Sequence, residues 1–130
     1  MESFPKISEY MDTSVPTVSP ETQILDAVDF LMRLQVTGAP VVDSNGRLVG
    51  IITETDLLKL LTEGIQGEPA AEATVAEFMT TNVITVSPAV DIYFVAGTFI
   101  ANKFRRLPVV EDGKIVGAIT RYDLLRVVRS

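Results

Sequence analysis

Two stretches of this chain spell nearly the same phrase, and that repetition limits what it can fold into. LVGIITETDLL runs from Leu48 to Leu58, and IVGAITRYDLL from Ile115 to Leu125. A shift of about 68 positions also lays MDTSVPTVSP (Met11–Pro20) on MTTNVITVSP (Met79–Pro88), and GAPVVD (Gly38–Asp43) on RLPVVE (Arg106–Glu111). One deletion absorbs the remaining difference, where DSNG shortens to EDG. Self-similarity at a fixed period over most of the chain marks an internal duplication. It predicts a first repeat over 5–62, a linker over 63–74 and a second repeat over 75–130, together one globular module. The linker, TEGIQGEPAAEAT from Thr62 to Thr74, reads as a surface connection that passes into a short helix at Val75–Phe78.

Each copy carries the same pattern of elements. Thr17–Val18 and Thr85–Val86 are short extended pieces followed by Ser-Pro. Serine suits a helix cap and proline a first helical turn, so helices are expected to start there. Ile24, Ala27, Val28, Leu31 and Leu34 keep helical period in the first copy, and Ile92, Val95, Ala96 and Phe99 in the second. APVV and LPVV read as strands, DSNG and EDG as turns, RLVGIIT and KIVGAIT as second strands. TDLLKLL and YDLLRVV read as closing helices. The fold class is therefore α/β, with two β-α-β-β-α units. About 50 residues are too few to bury both faces of a three-strand sheet. The copies are thus expected to pack sheet to sheet about a pseudo-twofold axis, with two equivalent clefts between them.

Composition narrows the chemistry. Hydrophobic residues make up 47% of the 130, which supports a core rather than disorder. A net charge of −6 opposes sequence-independent binding to nucleic-acid backbones. Cysteine and histidine are both absent, which removes disulfides, thiolate sites, the usual general base and the usual metal ligand. The opening MESFPKISEY lacks a basic patch followed by an apolar run, so no secretion signal is expected. The longest uncharged apolar stretch, Ile92–Ala101, falls well short of the ~20 residues that span a bilayer. A soluble cytoplasmic protein is expected. No nucleophile–base pair, phosphate loop or metal cluster is legible, so no enzyme is expected.

The repeated T-x-x-D admits two readings. Mechanically, Thr53 and Thr120 stand where strand passes into helix, and Asp56 and Asp123 three residues on complete a capping box near the positive helix end. Gly50 and Gly117 allow close backbone packing. Chemically, a first helical turn offers free N–H groups to phosphate. A threonine hydroxyl adds a donor, and an aspartate accepts from the two adjacent hydroxyls of a ribose. A nucleoside phosphate matches that set. Arg105 and Arg106 likewise fit either a helix end or a phosphate contact.

From about Ile7 to Val128 the pattern resembles a cystathionine β-synthase (CBS) domain pair, or Bateman module. The resemblance rests on TVSP twice, an apolar residue before PVV or its equivalent twice, and G-h-h-T-x-x-D twice. It implies a regulatory module that binds adenosine-containing ligands (AMP, ADP, ATP or S-adenosylmethionine) with no obligatory cofactor. It also implies a homodimer acting on a target protein. Most members of the family are appended to enzymes, transporters or channels, whereas this chain is expected to be a stand-alone pair. By resemblance, Asp56 and Asp123 take ribose hydroxyls and Thr53 and Thr120 approach phosphate. Thr17 and Thr85 line the adenine side, beside the strand prolines Pro40 and Pro108. Arg106 stands two before Pro108, where the family often has a phosphate-binding cation, and Arg105 precedes it. The cleft on Thr53 and Asp56, facing these arginines, is the expected phosphate site, and Arg121 the expected phosphate contact in the other. The alternative is a ligand-free interaction scaffold in which T-x-x-D only caps helices.

Overall fold

The protein is described by a computed structural model over residues 4–62 and 72–130. A 3₁₀ turn at Ile7–Glu9 comes first. Then follow α1 (Ile24–Leu34), β1 (Gly38–Val42), β2 (Leu48–Thr53), α2 (Glu54–Thr62), α3 (Val75–Phe78), α4 (Ile92–Ala101), β3 (Arg106–Glu111), β4 (Lys114–Thr120) and α5 (Arg121–Arg129). Most of the expected linker, residues 63–71, lies outside the described residues; the short helix expected at its end is α3. Among the described residues no helix is long and apolar enough to cross a membrane.

The chain divides into two compact units that cut across the sequence repeats. One combines Met1–Val15 with Ile84–Ser130, the other is Pro16–Val83. Hydrogen bonds show why. The first helical N–H of α1, on Ile24, is met by Ala73 O at 2.9 Å, and that of α4, on Ile92, by Pro5 O at 3.0 Å. Val75 N donates to Thr22 O within Pro16–Val83, and Ile7 N to Val90 O within the other unit. A helix start needs acceptors for its orphan donors. Here the segment leading into each repeat supplies them to the other repeat's helix.

Each unit holds one antiparallel pair, β1 with β2 and β3 with β4. The expected third strand is only a single bridging residue: Val18 bridges Val41 in parallel, and Val86 bridges Val109. Ser-Pro does not start the helices either. They begin four residues past each proline, behind Gln23 and Asp91. The Ser19 and Thr22 hydroxyls bond each other at 3.0 Å, and Pro20 O is occupied by Ala76 N, so the chain turns before it coils. A bulge falls at the same place in both pairs, after Val41 and after Val109. Both copies thus keep one register despite the deletion in the turn. In the shorter copy Asp112 and Gly113 both have positive φ, which suits a two-residue hairpin.

The cores match in kind. Ile24, Ala27 and Leu31 of α1 are buried with Val41, Ile52 and Val75 in one unit. Ile92, Val95 and Phe99 of α4 are buried with Ile7, Val109 and Ile119 in the other.

Candidate functional site

The repeated motif builds the same local structure twice. Thr53 N and Thr53 Oγ1 both donate to Asp56 Oδ2 at 2.9 Å, and Asp56 N returns a bond to Thr53 Oγ1 at 3.2 Å. In the other copy Thr120 N donates to Asp123 Oδ2 at 2.9 Å, and Asp123 N to Thr120 Oγ1 at 3.1 Å. These are capping boxes at the starts of α2 and α5. The mechanical reading of the motif is thus present at both positions, and a ligand would meet carboxylates already holding helix ends.

The remaining carboxylate oxygens differ. Asp56, only 5% exposed, receives the Thr80 hydroxyl on Oδ1 at 3.2 Å. Asp123 receives Arg126 Nη2 on Oδ1 at 3.0 Å, the one ion pair among the described residues. The repeat alignment places Asp12 opposite Thr80 and Lys59 opposite Arg126. Neither Thr80 nor Arg126 was foreseen as a site residue. The available signal is the first pair, where an acid in one copy aligns with a neutral hydroxyl in the other; Lys59 and Arg126 carry the same charge and differ only in side-chain shape.

The other expected residues fall in their own units. Pro40 and Pro108 are buried in β1 and β3, and their carbonyls accept Val18 N and Val86 N, each at 3.1 Å. Thr17 is half-buried and lines an open cavity of about 430 Å³ with Thr22, Asp26, Asp29 and Arg33; Thr85 is exposed. Arg106, half-buried at the start of β3, is the cross-strand partner of Thr120, and Arg105 is exposed beside it. Thr53 and Asp56 belong to one unit, Arg105 and Arg106 to the other.

Arg121 has a structural task. Its Nε donates to Phe104 O at 3.0 Å, and its Nη2 donates to Phe99 O at 3.0 Å and Asn102 O at 2.9 Å. Helix α1 closes through Gln35 in the left-handed region, with its N–H on Leu31 O and Met32 O. Asn102, after α4, is extended and makes no such turn. The guanidinium of Arg121 satisfies that helix end instead, and sits 5.8 Å from the Phe99 ring centre. Its counterpart in the first copy is Glu54.

Comparison with known proteins agrees with this duplicated architecture. A model of the CBS domain matches residues 7–63 and 75–130. A protein of Methanocaldococcus jannaschii, MJ1225, is 32% identical over 95% of this chain and 43% of its own length. The chloroplastic CBS domain-containing protein CBSX2 of Arabidopsis thaliana is 32% identical over 84% of this chain and 56% of its own length. The chain therefore spans about half the length of these relatives. The crystal structure of CBSX2 superposes with a TM-score of 0.85 at 31% identity, covering 98% of this chain and 96% of that one. CBSX2 in complex with AMP gives 0.84 at 32% identity, covering 98% and 97%. The CBS domain pair of protein MJ0100, in complex with 5′-methylthioadenosine and S-adenosyl-L-methionine, gives 0.79 at 28% identity, covering 98% of each. With two matched repeats and near-complete superposition on solved CBS pairs, the chain belongs to the CBS domain family.

Proposed function

We propose that this chain is a regulatory module that binds an adenosine-containing ligand and thereby alters its affinity for a target protein. The observation that carries the reading is the pair of T-x-x-D helix starts. Each sets an acidic acceptor, a hydroxyl and first-turn N–H groups together, as a ribose and a phosphate require. Support comes from the solved relatives, one bound to AMP and one to 5′-methylthioadenosine and S-adenosyl-L-methionine. Asp56 and Asp123 take ribose hydroxyls, and Arg105 and Arg106 supply charge to phosphate. Thr53 and Thr120 present the helix-start donors. Arg121, with three carbonyls on its guanidinium, serves α4 first. A ligand shifts the protein only by its differential affinity for two states, so the output depends on a partner that reads the difference.

A thermal-shift series tests this. At 100 times the dissociation constant a ligand adds about 2.7 kcal/mol to stability, a rise of several degrees in Tm for a chain of this size. AMP, ADP, ATP or S-adenosylmethionine at millimolar concentration is expected to produce such a rise. No rise with any of them favours the second reading, a ligand-free scaffold. That reading draws on one specific observation: both carboxylates already have internal partners.

We further infer a homodimer. Helix α4 carries no charge and cannot bury all its apolar groups within its unit: Ile92, Val95 and Phe99 are inside, while Tyr93, Phe94 and Ile100 are exposed, Ile100 by 87%. Phe4 packs edge-on against Tyr93 and extends that surface. An apolar patch of this kind marks an interaction site. Sedimentation is expected to show dimers at micromolar concentration, and a strict monomer at high concentration overturns the inference.

A further inference from the structure

The duplication makes the two aspartates equal in sequence, yet the structure makes them unequal acceptors. Arg126 Nη2 lies 3.0 Å from Asp123 Oδ1 and also donates to Tyr10 O at 2.8 Å. One guanidinium group therefore ties the motif carboxylate to a backbone carbonyl 116 residues away in sequence. In the first copy the aligned cation is Lys59, and among the described residues Asp56 Oδ1 meets only the Thr80 hydroxyl. A neutral hydroxyl is the weaker partner for a carboxylate and matches in kind the hydroxyl of a ligand. A guanidinium is a stronger, charge-assisted partner and is not isosteric with anything a ribose offers.

We propose that Arg126 is a specificity-determining residue that makes Asp123 the weaker of the two ribose acceptors. The proposal rests on the adenosine-binding reading above. A ribose hydroxyl arriving at Asp123 must compete with Arg126 for Oδ1, whereas at Asp56 it replaces Thr80. The Arg126 side chain is 57% exposed, so the competition is screened and the handicap modest. An exposed pair of this kind corresponds to roughly a twofold to fivefold difference in affinity. Asp12, aligned with Thr80, cannot take the part of that hydroxyl, since a carboxylate has no hydrogen to donate to Asp123; its Oδ1 accepts Ser14 N at 2.9 Å.

The test is a titration with adenosine followed by the backbone amide resonances of Thr53 and Asp56 for one copy and of Thr120 and Asp123 for the other. Adenosine carries the ribose without phosphate, so removing a cation does not confound the result. In the wild-type protein the Thr53 and Asp56 signals are expected to saturate first. In Arg126→Gln the Thr120 and Asp123 signals are expected to saturate at about twofold to fivefold lower adenosine, with the first copy unchanged. Unchanged or weakened adenosine binding at Thr120 and Asp123 overturns the proposal. A loss of AMP affinity there without a gain for adenosine also overturns it, and makes Arg126 a phosphate contact. If the wild-type protein responds to neither adenosine nor AMP at either copy, the adenosine-binding reading itself falls.

Discussion

Gly117→Val is expected to destabilise the protein by about 2–3 kcal/mol, and Gly50→Val by a similar amount, because each forces a side chain into space that another segment fills. A Cβ on Gly117 would stand 2.8 Å from Asp12 O and 2.8 Å from Met11 Sδ. On Gly50 it would stand 2.9 Å from Thr80 O and 2.7 Å from Met79 Sδ. The methionine can move; the carbonyl cannot without loss. Asp12 and Ala118 exchange two backbone bonds of 2.9 Å, as do Thr80 and Ile51. Pushing either carbonyl back breaks those bonds and lifts the adjoining methionine off the strand. The expected readout is a fall in Tm on the order of 10 °C. Gly46→Ala serves as a control of another kind: its φ is +81° but nothing lies within 4 Å, so any loss there reflects backbone strain alone. Wild-type stability in Gly117→Val would mean that the Met11–Asp12 segment does not lie against β4.

Much of this fold was legible because the duplication reports on itself. The strands at APVV and LPVV, the turns after them, most of the α1 and α4 core positions and the helix at Val75–Phe78 follow from period and punctuation read twice; Leu34, which keeps the α1 period, is the exception, exposed at the last position of its helix. What escaped was non-local. Ser-Pro gives a strong local signal for a helix start, but Pro20 O is claimed by Ala76 N, a bond that no window around Pro20 contains. The membership of the lead-in segments, each in the unit of the other repeat's helix, is likewise invisible to spacing, since it depends on which carbonyl reaches the N–H groups of Ile24 and Ile92. The motif shows the same division. An i, i+3 spacing fixes Thr53 on Asp56 and Thr120 on Asp123, because a capping box is a property of one helical turn. It leaves open the partner of the second carboxylate oxygen, which the fold brings from Thr80 in one copy and from Arg126 in the other. Arg121 shows the converse: a residue aligned with a motif position drawn away by a helix end that lacks a left-handed cap.

Asp56→Asn is expected to weaken adenosine-ligand binding about 10- to 100-fold while leaving the fold intact, and the contrast with Asp56→Ala separates the carboxylate's two duties. Asparagine keeps one oxygen, which can stay on Thr53 N and Thr53 Oγ1 and preserve the start of α2. Its amide replaces the oxygen that faces Thr80, so the site loses its charge and one of two acceptors for a vicinal diol. A hydrogen bond to a charged group contributes about 1.5–3 kcal/mol, which is the stated factor in affinity. Alanine removes both oxygens. It leaves the donors of Thr53 and the hydroxyl of Thr80 without this partner at a position only 5% exposed, and costs a further ~1–2 kcal/mol of stability. Calorimetric titration with AMP and thermal melts of the two variants therefore give a pattern rather than a single number. A ribose acceptor loses affinity in both variants and stability chiefly in alanine. A pure helix cap loses stability in alanine and shows wild-type AMP affinity in asparagine, and that outcome removes Asp56 from the binding site.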